Sequence, residues 1–144
     1  MQIRCYTPLD HDAVIALWQR CGLVAPQNNP SKDIERKQSV DADLFLVGER
    51  DGEIVGSVMG GYDGHRGWIN YLAVCPSVQR QGLGRRLLTM IEERIVAKGC
   101  PKINLQVRET NSEVLAFYAE CGYQVDKVTS LGKRFVQDKL GGVG

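Results

Sequence analysis

Apolar positions change period several times along the chain, and each change marks an element. Ile3 to Tyr6 has strand character. After Thr7-Pro8, the residues Val14, Leu17, Trp18 and Cys21 recur at the spacing of a one-faced helix, which Asp10 is placed to cap and Gly22 to end. Val24 to Pro30, with two prolines and two asparagines, reads as a loop. Ser31 suits the cap of a second helix through about Gln38. That helix is polar, with Ile34 as its clear apolar anchor among Asp33, Glu35, Arg36 and Lys37, as expected of a surface element that edges something.

Leu44 to Glu49 and Ile54 to Gly60 are strand-like runs joined by Arg50-Asp51-Gly52-Glu53, a strong hairpin signal. A second turn, Asp63-Gly64-His65-Arg66-Gly67, returns the chain into Trp68 to Val74, so three strands form an antiparallel meander. Beyond Cys75-Pro76 a helix from Arg85 to Ala97 buries Leu87, Leu88, Ile91 and Ile95, and Gly99 and Pro101 stop it. Ile103, Leu105 and Val107 alternate with Asn104 and Gln106 as in a half-buried strand. Asn111 or Ser112 caps a helix carrying Val114, Leu115, Phe117 and Tyr118, ended by Gly122. Tyr123 to Val128 and Lys133 to Val136 read as two last strands. The expected class is α/β (α+β), six to seven strands and about four helices in the order βααβββαβαββ. One domain over 1–140 and a loose tail at 141–144 complete the reading.

Composition narrows this little. A chain of 144 residues buries one core, and a formal net charge of +1 argues against nucleic acid or a membrane surface as main partner. No apolar run approaches the roughly 20 residues of a membrane span, and the N-terminus does not read as a signal peptide, so the expected location is cytoplasmic. Five scattered cysteines without a Cys-x-x-Cys pair read as reduced structural thiols, and no metal-ligand pattern is present.

Charge is distributed unevenly. Between Gly64 and Ile91 there is no Asp or Glu, yet Arg66, Arg80, Arg85 and Arg86 lie there. Arginines in the first turn of a helix conflict with its positive end, and an anion removes the conflict. Gln79-Arg80-Gln81-Gly82-Leu83-Gly84, between a strand and a helix, therefore reads as a loop where main-chain N–H groups and arginines hold phosphate. A Rossmann site wants a third glycine near Leu87 and a P-loop wants Gly-Lys-Ser/Thr; neither is present.

These residues resemble the Gcn5-related N-acetyltransferases, whose signature Gln/Arg-x-x-Gly-x-Gly/Ala lies between the fourth strand and the third helix. The element order is similar over nearly the whole chain, and Asn111 to Tyr123 resembles the family's second motif. Gly60 to Gly67, Gly99 to Ile103 and Ser130 to Arg134 are similar to a small bacterial acetyltransferase of the family. The resemblance implies a mixed, mostly antiparallel sheet and acetyl-CoA as co-substrate. It puts the pyrophosphate on Gln81, Gly82, Leu83 and Gly84, with Gln79, Arg80 and Arg85 beside it. The pantetheine arm would pair with Leu72, Ala73 and Val74, where the fourth and fifth strands splay, and Asn111 would contact that arm. Tyr118 takes the general-acid position, and a main-chain N–H near Leu72 or Ala73 polarises the thioester carbonyl. The acceptor is an amine, on a small molecule or a protein, entering between Val24 to Gln38 and Tyr62 to Gly67. The state is monomer or homodimer.

One position departs from the pattern. Ribosomal-protein N-terminal acetyltransferases of this fold carry Leu-Glu-Val-Arg on the fifth strand, where this chain reads Leu105-Gln106-Val107-Arg108. Gln106 cannot serve as base, which leaves water, His65, Asp63 or Glu109. By default Tyr118 is core packing, Asn111 a helix cap, and His65 and His11 exposed turn residues; Trp18 and Phe117 read as core. A noncatalytic CoA-binding module is the alternative function.

Overall fold

The computed structural model describes residues 1–26 and 28–138, so the expected tail at 141–144 lies outside the described residues. The elements are β1 (Gln2–Cys5), α1 (His11–Arg20), α2 (Pro30–Asp41), β2 (Phe45–Arg50), β3 (Glu53–Tyr62), β4 (Gly67–Val74), α3 (Leu83–Ala97), β5 (Ile103–Leu105) and α4 (Ser112–Glu120). They build one sheet in the order β1-β2-β3-β4-β5, antiparallel except for the parallel β4–β5 pair. Asp51 and Gly52, both at positive φ, make the β2–β3 turn that their sequence predicts.

Strand alternation sorts side chains to two faces. Phe45, Val47, Val55 and Met59 meet Val14, Leu17 and Trp18 of α1 and Ile34 of α2. Leu46, Val58 and Ile69 meet Leu87, Leu88, Ile91 and Ile95 of α3 and Tyr118 of α4. Each of the four α3 anchors is at most 1% exposed, a burial that contributes about 1.5–3 kcal/mol apiece. Glycines set how close α3 lies. A Cβ on Gly60 would stand 2.7 Å from Ile91 Cγ1 and 2.8 Å from Ile95 Cδ1, and one on Gly56 would stand 2.6 Å from Leu87 Cδ1.

Several expectations need correction. Asn29, not Ser31, caps α2 by accepting from Lys32 N–H, and the helix runs on to Asp41. Asp10 makes no cap bond to α1; its carboxylate is buried, accepts from Thr7 N–H and forms a two-pronged pair with Arg4. Helix α3 starts two residues early, at Leu83, and β5 stops at Leu105 before Val107.

Among the described residues the two last strands do not form, leaving five strands where six to seven were expected. Alternation makes a strand only where one face has something to pack against and a neighbour to bond. Val125, Val128 and Phe135 are 80% or more exposed, and the short β5 offers little edge. Side chains tie this segment down instead: Lys102 to Asp126, Gln106 to Ser130, and Arg36 to Asp138.

Candidate active site

The site begins where β4 leaves both its neighbours. On the β3 side the register slips: Ser57 faces Ala73 and Met59 faces Asn70, so Tyr71 and Leu72 together oppose Val58. This is a bulge, and Tyr71 takes a φ of 51° to make it, a left-handed conformation costly for a non-glycine residue. On the β5 side the ladder covers just Gly67 to Ile69 against Ile103 to Leu105. Asn70 to Val74 then lack a strand partner on that side, where the resemblance implies a splay.

The opening widens into a cleft of about 1030 Å³. Leu72, Leu105, Gln106, Val107, Arg108, Asn111, Val114 and Tyr118 line it. Asp33, Arg36, Lys37, Asp63, Trp68 and Tyr71 belong to the same lining. One cavity thus joins Leu72, Asn111 and Tyr118 of the predicted donor residues to the segment expected to receive an acceptor, whereas Ala73, Val74 and the loop from Gln79 to Arg85 do not line it.

The glycine loop lies at the far end of the exposed edge. Gly82 has φ 78°, which its lack of Cβ makes cheap, and it precedes α3 directly. Arg86 N–H closes a helical bond on Gly82 O at 3.2 Å, so Leu83, Gly84 and Arg85, earlier in the first turn, present N–H groups without a helical acceptor. A Cβ on Gly84 would come to 3.5 Å from Phe117 Cζ and 3.6 Å from Val74 Cγ2, so this turn abuts both β4 and α4. The arginines are less free than their sequence suggests. Arg85 donates to Glu120 O and Arg86 to Met1 O, and Arg66 sits on the β3–β4 turn, leaving Arg80, at φ 65°, as the guanidinium in the loop itself. Gln79 Nε2 donates to Val74 O at 3.0 Å and Gln81 Oε1 accepts from Arg50. Leu83 and Ala73 bury their side chains, which leaves their main chain as the functional part.

Tyr118 is 9% exposed on α4, edge-on to Phe117 and Tyr123 with centroids 5.2 and 5.6 Å away. Burial, and secondarily Cys121, pushes its phenol up to about 12. The group therefore keeps its proton through the neutral range, and among the described residues its hydroxyl has no hydrogen-bond partner. Asn111 caps α4, its side chain accepting from Val114 N–H, and also lines the cleft. It serves both readings.

Of the candidate bases, Asp63 lines the cleft, as does the non-basic Gln106, whereas His65 and Glu109 do not. The main-chain N–H groups of Arg66 and His65, both on Asp63 Oδ1, hold the Asp63 carboxyl below its usual range, so it stays ionised and accepts protons poorly. Gln106 donates to Ser130.

A sequence profile of the acetyltransferase (GNAT) family matches residues 11–123. The chain belongs to the GNAT acetyltransferase family. An acetyltransferase of Pectobacterium atrosepticum is 50% identical over 139 residues, covering 96% of this chain and 99% of the relative. Among solved structures, Naa20 of Chaetomium thermophilum with a bisubstrate analogue is similar at 26% identity and TM-score 0.72, over 87% of this chain and 72% of that one. An aminoglycoside N-acetyltransferase in complex with CoA has the same fold at 16% identity and TM-score 0.72, over 93% of this chain and all of that one. GNAT acetyltransferases use acetyl-CoA.

Sequence reasoning about this GNAT site missed a buried group. Ser57 is 0% exposed; its hydroxyl accepts from Trp18 Nε1 at 2.9 Å and donates to Tyr71 O at 2.8 Å. The Tyr71 ring stacks on Trp18 with centroids 3.8 Å apart and donates its hydroxyl to Asp33 Oδ2 at 2.6 Å. A serine within the apolar run Ile54 to Met59 was the available signal, because a buried hydroxyl needs partners.

Proposed function

We propose that this GNAT acetyltransferase transfers acetyl directly from acetyl-CoA to an amine bound in the same cleft. One observation carries the reading: a single cavity joins the unpaired β4 edge, Tyr118 and the segment between α2 and the β3–β4 hairpin, with the first turn of α3 abutting the end of β4. The pyrophosphate rests on the N–H groups of Gln81 to Gly84, with Arg80, Gln79 and Arg85 beside it, where convergent donors and the helix end favour negative charge. The pantetheine amides pair with Leu72, Ala73 and Val74 as an added strand would. Asn111 borders the arm.

The amine nitrogen forms a bond to the acetyl carbon as the carbon–sulfur bond breaks. Tyr118 gives its proton to the departing thiolate, and a main-chain N–H of the β4 bulge takes the developing negative charge on oxygen. Water is the acceptor of the amine proton, since Gln106 has no basic atom and Asp63 is tied up in hydrogen bonds. Gly60 to Gly67, Gly99 to Ile103 and Ser130 to Arg134 support kinship, within the family, with the small bacterial acetyltransferase YpeA. We place the protein in the cytoplasm as a single domain over residues 1–140, monomeric or a homodimer.

Calorimetry with acetyl-CoA, followed by thiol release against a panel of monoamines, polyamines and peptides, tests this reading. Binding plus turnover of one acceptor well above acetyl-CoA hydrolysis is expected. Binding with no acceptor turned over would instead favour a noncatalytic CoA-binding module.

A further inference from the structure

We infer that Ser57 is a positioning residue for the carbonyl-polarising N–H group, and that this group belongs to Leu72. The inference rests on the proposed use of the β4 bulge. Within the Tyr71–Leu72 peptide the carbonyl oxygen and the amide hydrogen point in opposite directions, because the bond is trans and planar. Whatever fixes Tyr71 O therefore aims Leu72 N–H. Ser57 Oγ, on β3, donates to Tyr71 O at 2.8 Å, which draws the carbonyl toward β3 and turns Leu72 N–H toward the side β3 does not occupy, where Leu72 lines the cleft.

In a regular antiparallel ladder Tyr71 O would find a partner on β3, but the slipped register denies it one, while Leu72 N–H faces the side where the β5 ladder has already ended. A carbonyl left without a ladder partner in the interior has to be satisfied by something else, and the serine does it. Trp18 fixes the serine in turn. Its indole N–H occupies the Ser57 oxygen at 2.9 Å, so the hydroxyl hydrogen is left for Tyr71 O. The Trp18 ring also stacks on Tyr71, and Tyr71 is anchored at its tip by Asp33. The strained φ of Tyr71 is thus held from its backbone, its ring and its hydroxyl, the over-determination that a sparsely populated conformation requires.

The test needs no acceptor. Acetyl-CoA labelled with carbon-13 at the acetyl carbonyl is bound to wild type, Ser57→Ala, Ser57→Thr and Trp18→Phe, and the carbonyl resonance is recorded by NMR. Wild type should move the signal downfield of free acetyl-CoA, as hydrogen bonding polarises the carbonyl. Ser57→Ala should lose at least half of that displacement while binding acetyl-CoA within threefold of wild type. Ser57→Thr, which keeps the hydroxyl, should restore it.

Trp18→Phe separates positioning from general stability, since it loses the indole donor and some packing but keeps the Ser57 bond to Tyr71 O. It should retain more of the wild-type displacement than Ser57→Ala does, despite a lower Tm. Equal resonances in wild type and Ser57→Ala overturn the inference, as does a displacement that tracks Tm across the set. Failure of wild type to bind acetyl-CoA removes the proposed donor site itself, whereas binding without any carbonyl displacement removes the Leu72 assignment alone.

Discussion

Replacing Tyr118 by Phe removes one oxygen and little else, because the ring stays packed edge-on between Phe117 and Tyr123. Losing the proton donor for the thiolate should lower kcat by about 10²–10⁴-fold, the usual reach of general acid catalysis, with acetyl-CoA affinity unchanged. The structure supplies a second, independent readout. A phenol held at about 12 against an ordinary value near 10 resists ionisation in the fold by roughly 3 kcal/mol. A raised folded value means stability is fully present below pH 10 and is lost as pH climbs toward 12. Tyr118→Phe should flatten part of this alkaline loss, and the partly buried Tyr71 and Tyr123 and the buried Tyr6, all shifted upward, contribute to the rest. The assays are thiol release with an acceptor found by the amine screen, calorimetry with acetyl-CoA, and urea unfolding at pH 8 to 11.5. A kcat within twofold of wild type would reduce Tyr118 to packing. An equal fall in acetyl-CoA affinity would make it a binding group.

Other substitutions probe separate parts. Gly84→Glu should weaken acetyl-CoA binding by more than tenfold in calorimetry without lowering Tm much, since its Cβ meets neighbours at ordinary contact distance while the carboxylate enters the anion site. Gly60→Val drives methyls into Ile91 and Ile95 and should cost about 1–3 kcal/mol in denaturant unfolding, with the loss read as a lower midpoint. Asp10 is held below its usual range chiefly by Arg4, so its contribution is present above about pH 4 and fades as pH falls through the folded value. Asp10→Asn should cost about 1–3 kcal/mol at pH 7 and leave an unfolding profile that changes less between pH 5 and 2.5.

Much of this was legible in the chain because local signals and burial agree. The Asp51-Gly52 turn, the α3 anchors and the Gly82 loop each follow from residues whose preference matches their place. Boundaries failed where two adjacent residues offered the same chemistry, as with Asn29 and Ser31 before α2. The segment from Tyr123 to Val136 failed differently. Its alternation is real, but alternation states a preference for a half-buried surface and cannot supply the surface. The turn into α3 was readable because its glycines and arginines are sequence-local. That Asp33, Asp63 and Trp68 share one cleft came only through the resemblance, because they belong to three elements and nothing in the spacing joins them.

The bulge in β4 was the least legible feature, and the reason lies in parity. Ile69, Tyr71 and Ala73 occupy alternate positions, which in a regular strand would place all three on one face. In the structure Ile69 packs toward α3 and Ala73 toward α1, on opposite faces of the sheet. Two residues set against Val58 invert the alternation midway along the strand, and both halves still bury their apolar members. A pattern that remains satisfied on either side of the inversion gives no sign in the sequence that an inversion occurred. The same extra residue that switches faces also removes the β3 ladder partner of the Tyr71 carbonyl, which Ser57 takes over. The packing of β4 against two different helices and the capture of this carbonyl by Ser57 are therefore one structural event. Straightening β4 to restore its ladder would misplace Ala73 and part Tyr71 O from Ser57 together.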